Sequence, residues 1–236
     1  MNLLLLFESD FTAPGRVELS GRRLEHVREV LRSSEGESLS VGLIDGGVGV
    51  GVITRLTRDV LEMDVRLDAE PPPPIPLTLV LSLPRPLVLS RVLATVTSMG
   101  VKRIYLINSN RVEKSFWGSP RLHEDKLHEA LIAGLEQAKD TALPSIEIRK
   151  RFRPFVEDEL PAIAAETRAL VAHPGAPGVA PHRIGEPVTL AVGPEGGYIP
   201  SEVEMLERNG FEPVNCGERI LRVESVIPAL IGRLGF

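Results

Sequence analysis

The sequence has only one cysteine, Cys216, among 236 residues. A single cysteine excludes an internal disulfide framework and a metal site built from several cysteines. The histidines do not replace it, since His123 and His128 are five residues apart and lack metal-site spacing. We therefore predict no metal ion. Taken by itself, Cys216 is typical of a small buried residue.

Long apolar runs are also missing. The N-terminal "MNLLLLFESD" has no basic region before its apolar run and meets acidic residues at once, unlike a signal peptide. No other run approaches the roughly 20 apolar residues that a membrane span requires. The expectation is a cytoplasmic protein that does not bind a membrane.

The chain has no excess of positive charge, since its net charge is −5. General attraction of a nucleic acid by the whole molecule is therefore not expected, and a polyanion would have to bind at local basic patches. Such patches are more often simply solvated surface. Three are visible: Arg22, Arg23, Arg28 and Arg32 on one predicted helix; Lys102, Arg103, Arg111 and Lys114; and "RKRFR" at 149–153.

A proline-rich stretch, "AEPPPPIP" at 69–76, divides the chain into predicted domains 1–70 and 71–236. The first domain reads mostly as strand, because "LEMDVRL" at 61–67 alternates apolar and polar residues and "DGGVGVGVITRL" gives a turn followed by a strand. One helix is predicted from about Arg22 to Arg32, with Leu24, Val27, Val30 and Leu31 on its apolar face. These features predict a small β-barrel with one helix.

In the second domain, predicted strands alternate with helices. "LTLVLSL" at 77–83 precedes a helix that carries Leu89, Val92, Leu93, Val96 and Met99 on one face and ends at Gly100. Further strands are predicted at "KRIYLINS", "SIEIRKRF", "RALVAH", "PVTLAVG" and "EPVNCG", with a helix from about Arg121 to Lys139. This rhythm predicts an α/β domain with a mainly parallel sheet, whose ligands bind beyond the carboxyl ends of the strands. Three loops there stand out: "AHPGAPG", "GPEGG" and "CGERILRVES".

The loop in "AVGPEGGYIPSEVEMLE", residues 191–207, matches neither a phosphate-binding loop nor a dinucleotide fingerprint. Ser201 is predicted to cap the following helix, with Glu204 completing a capping box. Two interpretations stay open for its glycines. They allow a ligand to reach the backbone, or they only form a tight turn.

The stretch "VGPEGGYIPSEVEMLERNGFEPVNCGERILRVES" resembles the C-terminal signature of the RsmE family of small-subunit ribosomal RNA methyltransferases. More loosely, the resemblance covers nearly the whole chain. It implies a PUA-like β-barrel that binds RNA in 1–70 and a SPOUT-class α/β domain with a trefoil knot in 71–236. It also implies S-adenosylmethionine-dependent methylation of N3 of a uridine in 16S ribosomal RNA, free or in the assembled small subunit, by a homodimer.

The same resemblance implies the residues of the cofactor site, while the RNA contacts are taken mainly from the basic patches and the catalytic pair from the chemistry of the reaction. Those matched to the cofactor site are His173, Pro174, Gly175, Gly193, Pro194, Glu195, Gly196, Gly197, Cys216, Gly217, Ile220, Leu221 and Arg222. The candidate RNA contacts are Arg22, Arg23, Arg28, Arg32, Arg85, Arg111 and Lys114. Because N3 of uracil must lose a proton, Arg222 is the candidate for stabilising the anion and Glu224 for accepting the proton. Structural roles for both remain open, including a helix-dipole role for Glu224.

The sequence departs from the family in its RNA-facing half. "NLLLLF" lacks the usual arginine of the first strand, "PRPLVLSR" keeps only Arg85 and Arg91 of a lysine-rich turn, and Asp140 stands where an arginine is usual. These departures indicate a divergent branch. Two functions are therefore carried forward: an active RNA methyltransferase, and a non-catalytic ribosome- or RNA-binding protein that retains the SPOUT fold. The absence of phosphate-binding motifs argues against a third interpretation, a nucleotide-dependent enzyme.

Overall fold

The computed structural model describes residues 2–236. It separates into two compact units, one containing residues up to Pro73 together with Ile132–Leu143, the other Pro74–Leu131 and Pro144–Phe236. The break lies within the proline-rich stretch, three residues after the predicted boundary. The return of 132–143 to the first unit was not predicted. Among the described residues, no helix is both long and apolar enough to cross a membrane.

The first unit is built on a six-stranded mixed sheet. Its strands are β1 (Leu4–Leu6), β2 (Phe11–Ala13), β3 (Arg16–Leu19), β4 (Ser38–Leu43), β5 (Val48–Leu56) and β6 (Leu61–Ala69), and a 3-10 turn spans Glu8–Asp10. The order is β1-β4-β5-β6-β3-β2, with β1 parallel to β4 and the other neighbours antiparallel. Alternation in β6 buries Leu61 and Met63, which confirms the strand predicted there.

The predicted helix over 22–32 has a different form. Helix α1 (Gly21–Glu25) continues as a π-helix (His26–Leu31) and ends at Arg32, whose φ is 56°. Leu24 and Val27 are buried, but Val30 is 65% exposed and Leu31 43% exposed, so half of the predicted apolar face was wrong. Because a π turn closes from i to i+5, the later side chains rotate away from the face that an α-helix would give them.

The segment 132–143 completes the core of the first unit. Ile132 and Leu135 pack with Leu3 and Leu5. The Glu136 carbonyl accepts hydrogen bonds from the backbone N–H groups of Asn2 and Leu3, both at 3.0 Å. Its carboxylate lies 3.2 Å from the Arg22 guanidinium. Burial raises the pKa of the Glu136 carboxyl above its ordinary value, although Arg22 acts in the opposite direction.

A seven-stranded, fully parallel sheet forms the second unit, which confirms the predicted architecture. Its order is β11-β13-β10-β12-β7-β8-β9. The strands are β7 (Leu77–Ser82), β8 (Arg103–Ile107), β9 (Ser145–Arg149), β10 (Arg168–Ala172), β11 (Gly178–Val179), β12 (Val188–Val192) and β13 (Glu212–Asn215). Only the two-residue β11 was absent from the predicted strands of this unit.

The remaining helices are α2 (Pro86–Ser98), α3 (Glu124–Ala138), α4 (Phe152–Pro154), α5 (Leu160–Ala164), α6 (Pro200–Arg208) and α7 (Val223–Leu234), with a π-helix at Phe155–Glu159 and 3-10 turns at Lys114–Gly118 and Pro120–Leu122. Helix α2 buries Leu89, Val92, Leu93 and Val96, as predicted. Gly100, with φ of 89°, follows its last residues in the left-handed region that favours glycine.

The strand order decides where a ligand can bind. Strands β13, β10 and β12 are adjacent and parallel, so their carboxyl ends meet at one edge of the sheet. The three loops singled out in the sequence leave from these three ends. Loops at such an edge form the usual ligand crevice of an open α/β sheet.

Candidate cofactor site

A cavity of about 270 Å³ lies where the three loops meet the first turns of α7. This volume is close to the lower end of the range for small-molecule sites, roughly 300–1,000 Å³. The lining residues are Ala172, His173, Pro174, Val192, Gly193, Pro194, Glu195, Gly196, Gly197, Val214, Asn215, Cys216, Gly217, Arg219, Ile220, Leu221, Val223, Val226 and Leu230.

The structure brings together most of the predicted cofactor residues. All of them line the cavity except Gly175 and Arg222. Sequence reasoning missed the strand ends, Arg219 and the wall that α7 supplies through Val223, Val226 and Leu230. The spacing of these three along one helix face could have indicated a buried stripe, but nothing in it distinguishes a cavity wall from core.

The glycine loop after β12 is a tight turn that also borders the cavity. Gly197 has φ of 69°, and its N–H donates to the Pro194 carbonyl at 2.8 Å. A Cβ on Gly193 would lie 3.0 Å from the Tyr198 nitrogen and 3.1 Å from the Gly197 carbonyl carbon. The turn therefore favours glycine at this position, because a side chain would crowd the backbone of the residues that close the loop. The tight-turn interpretation accounts for this glycine.

Contacts from other loops hold the glycine loop in place. The Arg85 N–H donates to Glu195 Oε1 at 2.9 Å. The Arg111 guanidinium donates to the Gly196 carbonyl. A Cβ on Gly196 would meet only the flexible Arg111 side chain, 3.0 Å from its Cδ. Arg111, predicted as an RNA contact, is thus fixed against the wall of the cavity.

Helix α6 begins two residues earlier than predicted. Pro200 is its first residue and Ile199 its N-cap, so the capping box from Ser201 to Glu204 was wrong. Proline is favoured at this first position because no N–H partner is needed there. The acceptor is instead Glu202, only 6% exposed, whose carboxylate accepts the N–H of Ile199 at 3.0 Å. Its other oxygen accepts the Asn110 N–H at 2.7 Å and so joins two loops.

Tyr198 anchors the exit of the glycine loop in the core. Its ring is buried and packs 5.8 Å from that of Phe152. Its hydroxyl lies 3.2 Å from Ser82 Oγ, at the end of β7. Burial raises the pKa of the Tyr198 phenol well above its ordinary value of 10.0, so the group stays neutral and acts as a structural hydrogen-bonding group.

Hydrogen bonds also tie the two other loops together. The His173 N–H donates to the Val214 carbonyl at 2.9 Å, and Asn215 Nδ2 donates to the Ala176 carbonyl at 2.8 Å. Asn215 Oδ1 in turn accepts the Gly217 N–H at 2.9 Å. Gly175, which is exposed and does not line the cavity, donates its N–H to His173 Nδ1 at 3.2 Å. Cys216, predicted to be buried, is half-buried and borders the cavity.

The two candidate catalytic residues lie at the start of α7. Arg222 is exposed, and its carbonyl accepts the N–H groups of Ser225 and Val226 at 2.9 and 2.8 Å. Glu224 is half-buried in the first turn. Helix α7 starts at Val223, so Pro228 lies inside the helix.

The apolar residues of α7 face the protein itself. Ile227, Leu230, Ile231 and Leu234 are all buried within the chain, and Val226 is half-buried. The helix packs on its own unit, including α2.

The basic candidates differ in their surroundings. Arg23 is only 18% exposed and pairs with Asp10 at 2.5 Å, so it supports the first unit. Arg22 pairs with Glu136, and Arg28 with Glu29 at 2.8 Å. Arg32, Arg85 and Lys114 are exposed. The structure therefore leaves the last three more available to a polyanion than Arg23.

Residues 71–235 match the model of the RNA methyltransferase domain family. The fold and the site thus define an RNA methyltransferase. A relative named ribosomal RNA small subunit methyltransferase E from Treponema pallidum (strain Nichols) is 31% identical over 233 residues, covering 94% of this chain and 86% of its own length. A second, ribosomal RNA small subunit methyltransferase E 1 from Borreliella burgdorferi, is 23% identical and covers 95% and 93%. The chain belongs to the ribosomal RNA small subunit methyltransferase E family.

Solved structures share the fold over nearly the whole chain. The ribosomal RNA small subunit methyltransferase E from Neisseria gonorrhoeae, determined with bound S-adenosylmethionine, has a TM-score of 0.75 at 24% identity and covers 98% of this chain and 95% of its own. A methyltransferase from Legionella pneumophila in complex with the same cofactor has a TM-score of 0.75 at 22% identity, with coverage of 99% and 97%.

Proposed function

We propose that this protein transfers the methyl group of S-adenosylmethionine to N3 of a uridine in small-subunit ribosomal RNA. The observation that carries the proposal is the cavity that three loops build at the carboxyl edge of adjacent parallel strands. Membership of the family supports it, as do two solved structures of the same fold with this cofactor bound. The N3 position comes from the family resemblance of the sequence.

The lining residues fit this cofactor chemically. S-adenosylmethionine combines a flat aromatic adenine with a ribose, a sulfonium and an amino acid but has no phosphate. Val223, Val226 and Leu230 offer an apolar wall, while the glycine loop presents main-chain donors and acceptors. The cofactor supplies an electrophilic methyl group. The protein has to orient it, exclude water and bring a deprotonated uracil nitrogen to it.

Arg222 and Glu224 are the residues proposed to act on the uracil. A guanidinium near the base stabilises the negative charge that develops on the uracil oxygens as N3 loses its proton. A carboxylate within hydrogen-bond reach accepts that proton. Both residues lie directly after the loop that borders the cavity. Neither lines the cavity, so their place in the proposal is beside the cofactor, on the RNA side.

The assembly and the partners are proposed on the same resemblance. They are a homodimer, a trefoil knot in the second unit, a PUA-like role for the first unit in binding RNA, and a substrate that is small-subunit ribosomal RNA or the assembled subunit. Because the apolar face of α7 is buried within the chain, a dimer would need other surfaces. Light scattering should give twice the chain mass of 25.7 kDa. A monomer mass would reject the dimer.

Calorimetry tests the cofactor proposal directly. We expect one site per chain for S-adenosylmethionine and for its demethylated product, with an affinity that EDTA leaves unchanged. Absence of detectable binding for both would reject the proposed cofactor. It would then favour the alternative, a non-catalytic RNA-binding protein that retains the fold.

A further inference from the structure

A second cleft, of about 200 Å³, lies in the same unit but shares no lining residue with the cofactor cavity. Trp117, Ser119, Leu122 and His123 come from the two 3-10 turns after β8 and the residue that follows them, and Ile148 and Lys150 from the end of β9. We call it the Trp117 cleft. Nothing in the proposed methyl transfer uses it.

The indole of Trp117 is held in a fixed orientation. Its Nε1–H donates to Asn108 Oδ1 at 2.9 Å, directly after β8, so the ring is tied to the edge of the sheet. The side chain is nonetheless only half-buried, and Ile148 beside it is 36% exposed. A large, rigid aromatic surface that stays partly exposed next to an apolar side chain is suited to stacking against a flat ligand.

Positive charge lies directly beside this aromatic surface. Lys150 Nζ is 5.8 Å from the centre of the Trp117 ring. Lys114, Arg121 and Arg151 are exposed on the same segments. Their neighbours Arg149 and Arg153 are instead paired, with Glu147 and Glu159 and with Glu157.

Carboxylates also occur nearby in sequence, at Glu113, Glu124 and Asp125, but none of them lines the cleft. Asp125 is also 3.7 Å from Lys126. The charge facing a ligand in the cleft is therefore that of Lys150, with His123 as a further polar group.

We propose that the Trp117 cleft binds one unpaired nucleotide of the RNA substrate, with its base against the indole and its phosphate on Lys150. An aromatic face for a base next to a cation for a phosphate is the pairing used for single-stranded nucleic acids. Identification of the partner as ribosomal RNA rests on the proposed function. The cleft would hold the RNA at a point separate from the methylated base.

Trp117 is the only tryptophan of the chain, so its fluorescence reports on this cleft alone. Titration with a short, single-stranded RNA of mixed sequence should quench the emission saturably, while inorganic phosphate should not. Lys150→Ala should weaken the binding about tenfold, the order expected for losing one such contact. Arg208→Ala, which removes an exposed cation from α6, should leave it unchanged. Absence of quenching, or equal weakening by both variants, would overturn the proposal.

Steady-state kinetics separate the cleft from the catalytic site. Trp117→Ala should raise KM for ribosomal RNA about tenfold or more, leave kcat and S-adenosylmethionine affinity unchanged, and be largely rescued by Trp117→Phe, which keeps an aromatic face. Unchanged cofactor affinity also shows that the second unit is folded. Methylation with unaltered KM in Trp117→Ala would reject the cleft while sustaining the proposed function. Quenching by RNA without any methylation would sustain the cleft and reject the proposed function.

Discussion

Gly193 and Gly196 stand three residues apart in one loop, yet the structure gives them different requirements. A Cβ on Gly193 would lie 3.0–3.2 Å from backbone atoms of Tyr198 and Gly197, so the turn itself would have to shift by a few tenths of an ångström. A side chain on Gly196 would press only on the end of Arg111. A larger residue at Gly196 would thus displace Arg111 before it filled any space in the cavity.

This difference predicts unequal effects of one methyl group. Gly193→Ala should distort the loop and lower the affinity for S-adenosylmethionine by about tenfold or more, since overpacking typically costs about 1–3 kcal/mol. Gly196→Ala should lower it no more than about threefold. Calorimetry on both variants makes the comparison. Equal losses of affinity would show that backbone crowding at Gly193 does not matter more than the Arg111 contact at Gly196.

Arg222 separates binding from chemistry. Because it lies outside the cavity, Arg222→Ala should bind S-adenosylmethionine within a few-fold of the parent. Turnover should fall by about a hundredfold or more if the guanidinium stabilises the uracil anion, and alkaline pH should restore part of it. Arg222→Lys should recover only part of the rate, because an ammonium lacks the planar fork. Proportional loss of cofactor affinity and turnover would instead make Arg222 a structural residue at the start of α7.

Glu136 predicts a pH dependence of stability in the first unit. Its folded-state pKa is raised above the ordinary 4.5 by burial, so the native state holds its proton longer than the unfolded chain does. Its contribution to stability is therefore fully present below 4.5 and falls as the pH rises through the folded pKa. Glu136→Gln should flatten this dependence and be no less stable than the parent at pH 7. Denaturant melts across pH check it, and a clearly less stable variant at pH 7 would contradict it.

At the scale of elements, the sequence predicted the strands well and the helix ends poorly. Runs such as "LTLVLSL" and "PVTLAVG" are mostly apolar, without strict alternation, because both faces of a parallel sheet are buried. Helix starts depend on single residues, and two candidates compete at α6. Ser201 has the better capping side chain, but Pro200 fits the first helical position, so the helix starts earlier in the chain than a Ser201 cap would allow. The π turn after α1 leaves no signal in the periodicity.

The observed start of α6 predicts that two glutamates on this helix contribute very unequally to stability. Glu202→Ala removes the acceptor of two backbone N–H groups, from Ile199 and Asn110, and should cost about 1–3 kcal/mol of stability. Glu204 is exposed, so Glu204→Ala should change stability by less than about 0.5 kcal/mol. Thermal melts of both variants test this. A larger loss of stability in Glu204→Ala would support the capping box from Ser201 to Glu204 that the sequence indicated.

At the scale of the whole molecule, the loops of the candidate site were predictable and their meeting was not. Each loop carries glycine or proline after an apolar strand, and that pattern is visible in the chain. Strand order is not, because it depends on long-range pairing that places β10 between β12 and β13. The wall from α7 and the return of 132–143 to the first unit arise from the same long-range packing.

We propose that this chain methylates N3 of a uridine in small-subunit ribosomal RNA. The most direct measurement incubates the purified protein with unmodified small subunits and labelled S-adenosylmethionine, then digests the RNA and analyses its nucleosides by mass spectrometry. We expect labelled 3-methyluridine at one position, reduced with Gly193→Ala at limiting cofactor and strongly reduced with Arg222→Ala. No transfer of label, or label on a ribose or on another base, would contradict it.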